Sequence, residues 1–141
     1  MRIFKTKAFN KFALKNGIPD SELINAITRA EQGLIDADLG GNIIKQRIAW
    51  KGQGRSGGFR SFIFYCIQNN SYFVAGISKN DRENISSQEL AALKALAREY
   101  TRLTAKQIEA QIENGLFIEI LPEAEDEWIV GNDPRKCGGF T

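Results

Sequence analysis

Residues 43–50, "IIKQRIAW", alternate in the manner of a strand. Ile44, Gln46, Ile48 and Trp50 share one face, and Ile43, Lys45, Arg47 and Ala49 share the other. Lys45 and Arg47 are thereby expected to project from the same side. Upstream, "RIF" at residues 2–4 predicts a short strand. Phe9, Phe12 and Ala13 then fall at helical spacing up to a stop at Gly17. Pro19 and Asp20 open a second helix, whose stripe is Leu23, Ile24, Ile27 and Ala30, ending near Gly33. The stretch "DADLGGN" before the basic strand predicts a loop. Downstream, "FRSFIFYCI" (residues 59–67) is apolar on both faces and predicts a central strand. A turn at Asn69-Asn70 then leads into a strand over residues 72–78.

The last third is helical in pattern. Ser86 and Glu89 form a capping box ahead of Leu90, Leu93, Leu96 and Ala97. Thr104 and Gln107 form a second box, opening a short helix that stops at Asn114-Gly115. "LFIEIL" predicts an edge strand before an acidic, Gly-rich tail. These elements give one α+β domain: a small antiparallel β-sheet with two N-terminal helices and a C-terminal helix packed against it.

Composition narrows the chemistry. The 141 residues suit one domain, and no run of about 18 apolar residues predicts a membrane span. The basic N-terminus lacks the pattern of a secretory signal. Cys66 and Cys137 match no metal-ligand spacing, so reduced thiols in a cytoplasmic protein are expected. There is no histidine. That removes the commonest general base and metal ligand, and every Ser-His or Cys-His nucleophile pair. Neither a metal nor a cofactor is expected.

Charge changes the picture further. The net of +2 conceals +1 over residues 1–39, +6 over residues 40–82 and −5 over residues 83–141. The middle third carries Lys45, Arg47, Lys51, Arg55, Arg60, Lys79 and Arg82 against Asp81 alone. Against the plain alternative of a solvated basic face, this concentration favours a surface for a polyanion.

"GQGRSGGFR", residues 52–60, contains the spacing G-x-G-x-x-G at Gly52, Gly54 and Gly57. A dinucleotide cradle needs that spacing between a strand and a helix N-terminus, where free N–H groups meet the pyrophosphate. Here it falls between two predicted strands, and no G-K-[ST] follows. The expected element is a mobile hairpin connection. It sets Lys51 and Arg55 beside Lys45 and Arg47, with Arg60 on the next strand and Lys79 and Arg82 at the rim. With strands about 4.8 Å apart and alternate residues about 6.6 Å apart, such cations converge on one or two phosphates.

The order of these elements, with "DADLGGNIIKQRIA", "GQGRSGGFR" and "KNDRENI", resembles the RelE/ParE superfamily of bacterial toxins, and within it the RelE-like subgroup. The resemblance covers about residues 1–115, and residues 116–141 look like a variable extension. It implies a toxin neutralised by a cognate antitoxin, with oligomers formed through that complex. It also implies cleavage of messenger RNA on the ribosome by clustered Lys and Arg. Arg60 matches the family's Gly-aromatic-Arg strand start and is expected on the scissile phosphate. Lys45 and Arg47 match the basic strand before it and are expected on the attacking and leaving oxygens. Lys51 and Arg55 fall to flanking phosphates, and Lys79 and Arg82 to the basic turn. Some relatives place a late Tyr or His as base or stacking platform. Ser86 stands near that place here, and Tyr65 and Tyr72 are the nearest phenols, although strand aromatics more often serve a core. Two other readings stay open: a ParE-like poison of DNA gyrase, and a catalytically silent member that binds only antitoxin or nucleic acid.

Overall fold

A computed structural model of the chain describes residues 1–50 and 54–121, and the side chains of all of these except residues 50 and 54–57. In chain order the elements are β1 (Arg2–Thr6), α1 (Lys7–Asn16), α2 (Asp20–Glu31), β2 (Ala37–Gly40), β3 (Ile43–Trp50), β4 (Gly54–Ile67) and β5 (Asn70–Ser78). There follow α3 (Ser87–Tyr100), α4 (Ala105–Glu113) and β6 (Phe117–Ile120). Among the described residues the strands form one sheet in the order β2-β3-β4-β5-β1-β6. Its pairings are antiparallel except β1 with β5, which run parallel. No helix of the described residues is long and apolar enough to cross a membrane.

Three of the four helices among the described residues begin where a side chain takes an orphan N–H. Thr6 accepts from Phe9 N at α1, Ser86 from Glu89 N at α3, and Thr104 from Gln107 N at α4. Gly17 ends α1 in the left-handed conformation (φ 65°), and its N–H reaches back to Ala13 O and Leu14 O. Helix α2 starts after Pro19 with Asp20 and Glu22 in its first turn, where the helix dipole favours acids.

The sheet buries both faces, but unequally. On one face α1 and α2 lay Phe9, Ala13, Leu23, Ile27 and Ala30 against Ile44, Ile48, Phe59, Ile63 and Phe73. On the other, α3 and α4 bring Leu93, Leu96, Ala97, Tyr100 and Ile108 onto Phe4, Ile43, Phe64, Tyr72 and Phe117. Phe4 stacks on Tyr72 with ring centroids 5.3 Å apart, and Tyr100 meets Tyr72 edge-on at 4.9 Å. Arg2 ties this end together by a two-pronged bond to Glu119 (2.9 and 2.8 Å) and a third to Glu109 at 3.0 Å.

One buried polar residue joins the first pair of helices to the sheet. Gln46, with no exposed surface, donates from Nε2 to Ala26 O (2.9 Å) and Leu34 O (3.2 Å). Its Oε1 accepts from Asp36 N at 2.8 Å. One carboxamide thus bonds three backbone groups, from the middle of α2 to the approach to β2.

Three sequence expectations are corrected. "DADLGGN" is not a loop: Ala37–Gly40 is an edge strand, turning through Gly41 and Asn42 (φ 62° and 68°) into β3. It is held by its ladder, with Ala37 opposite Lys45, so no apolar run betrays it. The turn after β4 is centred on Gln68 and Asn69 (φ 52° and 65°), one residue earlier than expected, and β5 begins at Asn70. The glycine segment is mostly strand, since β4 begins at Gly54, which pairs with Trp50. The connection itself, residues 51–53, lies outside the described residues.

Replacing Gln46 by Leu keeps the volume but removes this partner from Leu34 O and Asp36 N, and the second bond from Ala26 O within α2. Gln46→Leu is expected to destabilise the fold by about 2–4 kcal/mol, seen as a lower urea midpoint at unchanged slope. A cost below about 0.5 kcal/mol would show that water or local shifts replace these bonds.

The phenols under α3 give a pH prediction. Burial raises the Tyr72 hydroxyl above its ordinary value and pushes that of Tyr100 up to about 12. The folded state therefore favours the neutral phenols, and this contribution is complete below the ordinary value of 10.0. It is lost as pH rises from there through about 12. Denaturant titrations across that range should show a steep alkaline fall that Tyr100→Phe makes shallower. Parallel profiles for the two proteins would contradict it.

Candidate anion-binding face

The alternation of β3 decides which residues reach the sheet's second face. With Ile44, Gln46 and Ile48 held against α1 and α2, Lys45 and Arg47 stand on the opposite side. The ladder places Arg47 opposite Arg60 and Lys45 opposite Phe62 on β4, and Arg60 opposite Ile77 on β5. Paired residues share a face, so the two basic residues of β3 and the arginine of β4 lie together. Lys79, one residue past β5, donates its N–H to Gly58 O (3.4 Å) and continues the alternation from Ile77. Phe62 and Ile77 form a buried apolar floor, 0% and 5% exposed. Around it Lys45, Arg60 and Lys79 are half-buried and Arg47 is exposed.

The electrostatics of this group are unbalanced. Cross-strand neighbours have Cβ atoms about 4.5–5.5 Å apart, and like charges set directly opposite destabilise a sheet. Arg47 and Arg60 are such a pair. Among the described residues, the ion pairs engage Arg2, Lys5 and Arg82, and none of Lys45, Arg47, Arg60 and Lys79. Arg60 goes further: its Nη1 is buried with no hydrogen-bond partner. A guanidinium N–H shut from water without an acceptor is costly, so this donor adds to the expense of the unbalanced group.

The backbone beneath is firmly placed. Arg47 N donates to Asp36 Oδ2 at 2.5 Å, and the Arg29 guanidinium donates to the Arg47 carbonyl. Ser61, buried on the opposite face of β4, donates its hydroxyl to Gln46 O at 2.9 Å. Arg29, Asp36 and Ser61 carry no sequence signal that sets them apart from surface or loop residues.

Of the seven cations expected at the site, four are brought together: Lys45, Arg47, Arg60 and Lys79. Lys51 lies outside the described residues, as does the side chain of Arg55. Arg82 is exposed and points elsewhere. Its Nη1 and Nη2 bind the two carboxylate oxygens of Glu89 at 2.7 and 2.8 Å. With Ser86 N also donating to that carboxylate at 2.8 Å, Glu89 is held well below the usual carboxylate range, at about 2. The counter-charge in this region is therefore Glu89, not Asp81. The capping-box pattern already contains Glu89, but nothing in the sequence marks its second partner.

The aromatic and hydroxyl candidates have other roles. Ser86 caps α3, Tyr72 is buried under α3 and α4, and Tyr65 lies in the core beneath α1 and α2. A recess of about 600 Å³ between the start of α1, the end of α3 and α4 is lined by Lys7, Tyr100, Arg102, Leu103, Gln111 and others. It includes none of the four cations.

The arrangement groups positive charges around an apolar floor, a composition suited to stabilising negative charge on phosphate oxygens. No curated protein matches the chain. A family model described as the RelE toxin of the RelE/RelB toxin–antitoxin system matches residues 1–120, which include every strand of the sheet and all four cations of the face. With more than four-fifths of its 141 residues matched, the chain belongs to the RelE toxin family.

Proposed function

We propose that this toxin is a ribosome-dependent endoribonuclease of the cytoplasm, cutting messenger RNA by attack of a ribose 2′-hydroxyl on the adjacent phosphate. The observation that carries this reading is the grouping of Lys45, Arg47, Arg60 and Lys79 on one face, with none of them in an ion pair among the described residues. In that reaction negative charge grows on the non-bridging oxygens and on the departing 5′-oxygen. Arg60 is assigned to the non-bridging oxygens, and Lys45 and Arg47 to the attacking and leaving oxygens. Lys79 is assigned to a neighbouring phosphate, with Lys51 and Arg55 extending the track. Such donors act by being fixed before the charge develops, and a typical one contributes about 2.7–4 kcal/mol to the barrier. The same face offers its antitoxin a target for carboxylates, which would compete with RNA.

A buried donor with no acceptor should cost the fold something. Arg60→Met removes the unpaired donor and keeps the bulk of the side chain. Its expected effect is a loss of cleavage of about 10²–10³-fold with stability unchanged or higher by up to about 1 kcal/mol. Lys45→Ala/Arg47→Ala should also abolish toxicity in a protein that still melts cooperatively. Growth assays on induction, with separate readouts of translation and DNA damage, decide the matter. Full toxicity from soluble Arg60→Met, or DNA damage with translation intact, would overturn the reading.

The face supplies charge but no imidazole. Alignment of the 2′-hydroxyl must then come from the ribosome. The purified protein is expected to cut messenger RNA on programmed ribosomes and to leave short free RNA nearly intact. Comparable rates on both substrates would instead mark a self-contained ribonuclease.

A further inference from the structure

Arg82 was expected at the rim of the cation row, yet its guanidinium is held by Glu89 through both Nη1 and Nη2. The surrounding bonds show what that engagement does. The turn after β5 hangs from Ser78: Asn80 N donates to its Oγ (3.3 Å), and Asp81 N and Arg82 N to its carbonyl (3.0 and 3.1 Å). Lys79, inside that turn, is bound to β4 through Gly58 O. Downstream, residues 83–86 carry no regular structure before α3 begins at Ser87. The Arg82–Glu89 pair spans this gap. It joins the turn directly to the first turn of α3, where Glu89 also closes the capping box on Ser86.

An exposed ion pair adds little to global stability. A two-pronged guanidinium–carboxylate bond nevertheless fixes orientation, because both planes are held at once. Here the orientation fixed is that of the turn presenting Lys79. We propose that Glu89 is a positioning residue of the anion-binding face: it grips Arg82, anchors the Lys79 turn against α3, and keeps Arg82 itself off the nucleic acid. This rests on the face being a polyanion site, as proposed above.

The sign of one substitution tests it. Glu89→Gln keeps the capping box, because a Gln oxygen still accepts from Ser86 N, but removes the charge that holds Arg82. Deleting a carboxylate near a polyanion site should tighten binding on charge alone. If Glu89 positions Lys79, binding weakens instead. The measurement is affinity of the full chain for a single-stranded RNA oligonucleotide with 2′-deoxy substitution at the cleavable positions, over a salt series. Expected for Glu89→Gln is a weakening of about three- to tenfold at low salt, with the slope of log affinity against log salt reduced by about 0.7, as for one lost phosphate contact.

Lys79→Ala should give the same change, and the double variant should be no weaker than Lys79→Ala alone. Ser86→Ala, which weakens the cap but leaves the ion pair, should lower the melting temperature without moving the slope. Tighter binding or a steeper slope in Glu89→Gln would mean that Arg82 is released onto RNA, and would overturn the inference. So would unchanged binding, or effects of Glu89→Gln and Lys79→Ala that add. If Arg60→Met and Lys45→Ala/Arg47→Ala leave affinity untouched, the anion-face reading itself falls and this inference with it. Normal losses in those variants beside an inert Glu89→Gln would sink the inference alone.

Discussion

The register of β3 is the constraint on which the rest of the molecule depends. Side chains of a strand alternate with period two, so a slip of one residue would bring Lys45 and Arg47 into the core and turn Ile44 and Ile48 to the other face. Hydrophobicity alone penalises that slip, but Gln46 makes it worse. Its carboxamide must meet Ala26 O, Leu34 O and Asp36 N at once, and no neighbouring position on β3 offers a side chain that could. Asp36 in turn receives Arg47 N, so the polar node on one face fixes the backbone that presents cations on the other. A buried polar network acts here as a specificity device, costly if half-satisfied and decisive when complete.

Coverage of the sheet by the described helices is uneven. Helices α3 and α4 are drawn to one end by the aromatic cluster of Phe4, Tyr72, Tyr100 and Phe117, and among the described residues no other helix packs on the second face. Two apolar residues, Phe62 and Ile77, remain beneath the cations and keep the local dielectric low. Charges above an apolar floor are less screened than charges in open water, so the row's field is stronger. The same setting makes Arg47 opposite Arg60 expensive, and the fold carries that cost through its two-sided core. Sites that stabilise charge in a transition state are commonly built against the stability of the resting protein.

What the sequence made legible follows from the range of each signal. Caps are local: Gly17, the Ser86–Glu89 box and the Thr104–Gln107 box marked three helix ends within a residue or two. Alternation is local too, and it assigned Ile44 and Lys45 to opposite faces. Pairing is not local. The parallel union of β1 with β5 joins residues about seventy positions apart, and no pattern in "RIF" announces it. Strand β2 was hidden because an edge strand needs only a backbone partner, and its Asp and Gly residues read as turn chemistry. Four of the site's cations could be grouped from alternation and strand order. Arg82 could not be separated from them, because its partner is fixed by the path of the chain between β5 and α3 rather than by composition.

The glycine stretch bears on the source of positive charge. Its spacing is that of a phosphate cradle, yet a cradle works through N–H groups left free at a helix start. In this fold Gly54 pairs with Trp50, and Gly58 O receives Lys79 N, so backbone groups of the stretch belong to the sheet. The positive charge facing a phosphate would therefore come from side chains standing on a ladder, not from a helix dipole. Lys and Arg keep that charge across the physiological range, whereas a histidine would titrate within it. A row of this kind can stabilise charge at any moment but cannot time a proton transfer. On the reading proposed here, geometry and timing belong to the substrate's own surroundings, and a small sheet with no imidazole is sufficient for the rest.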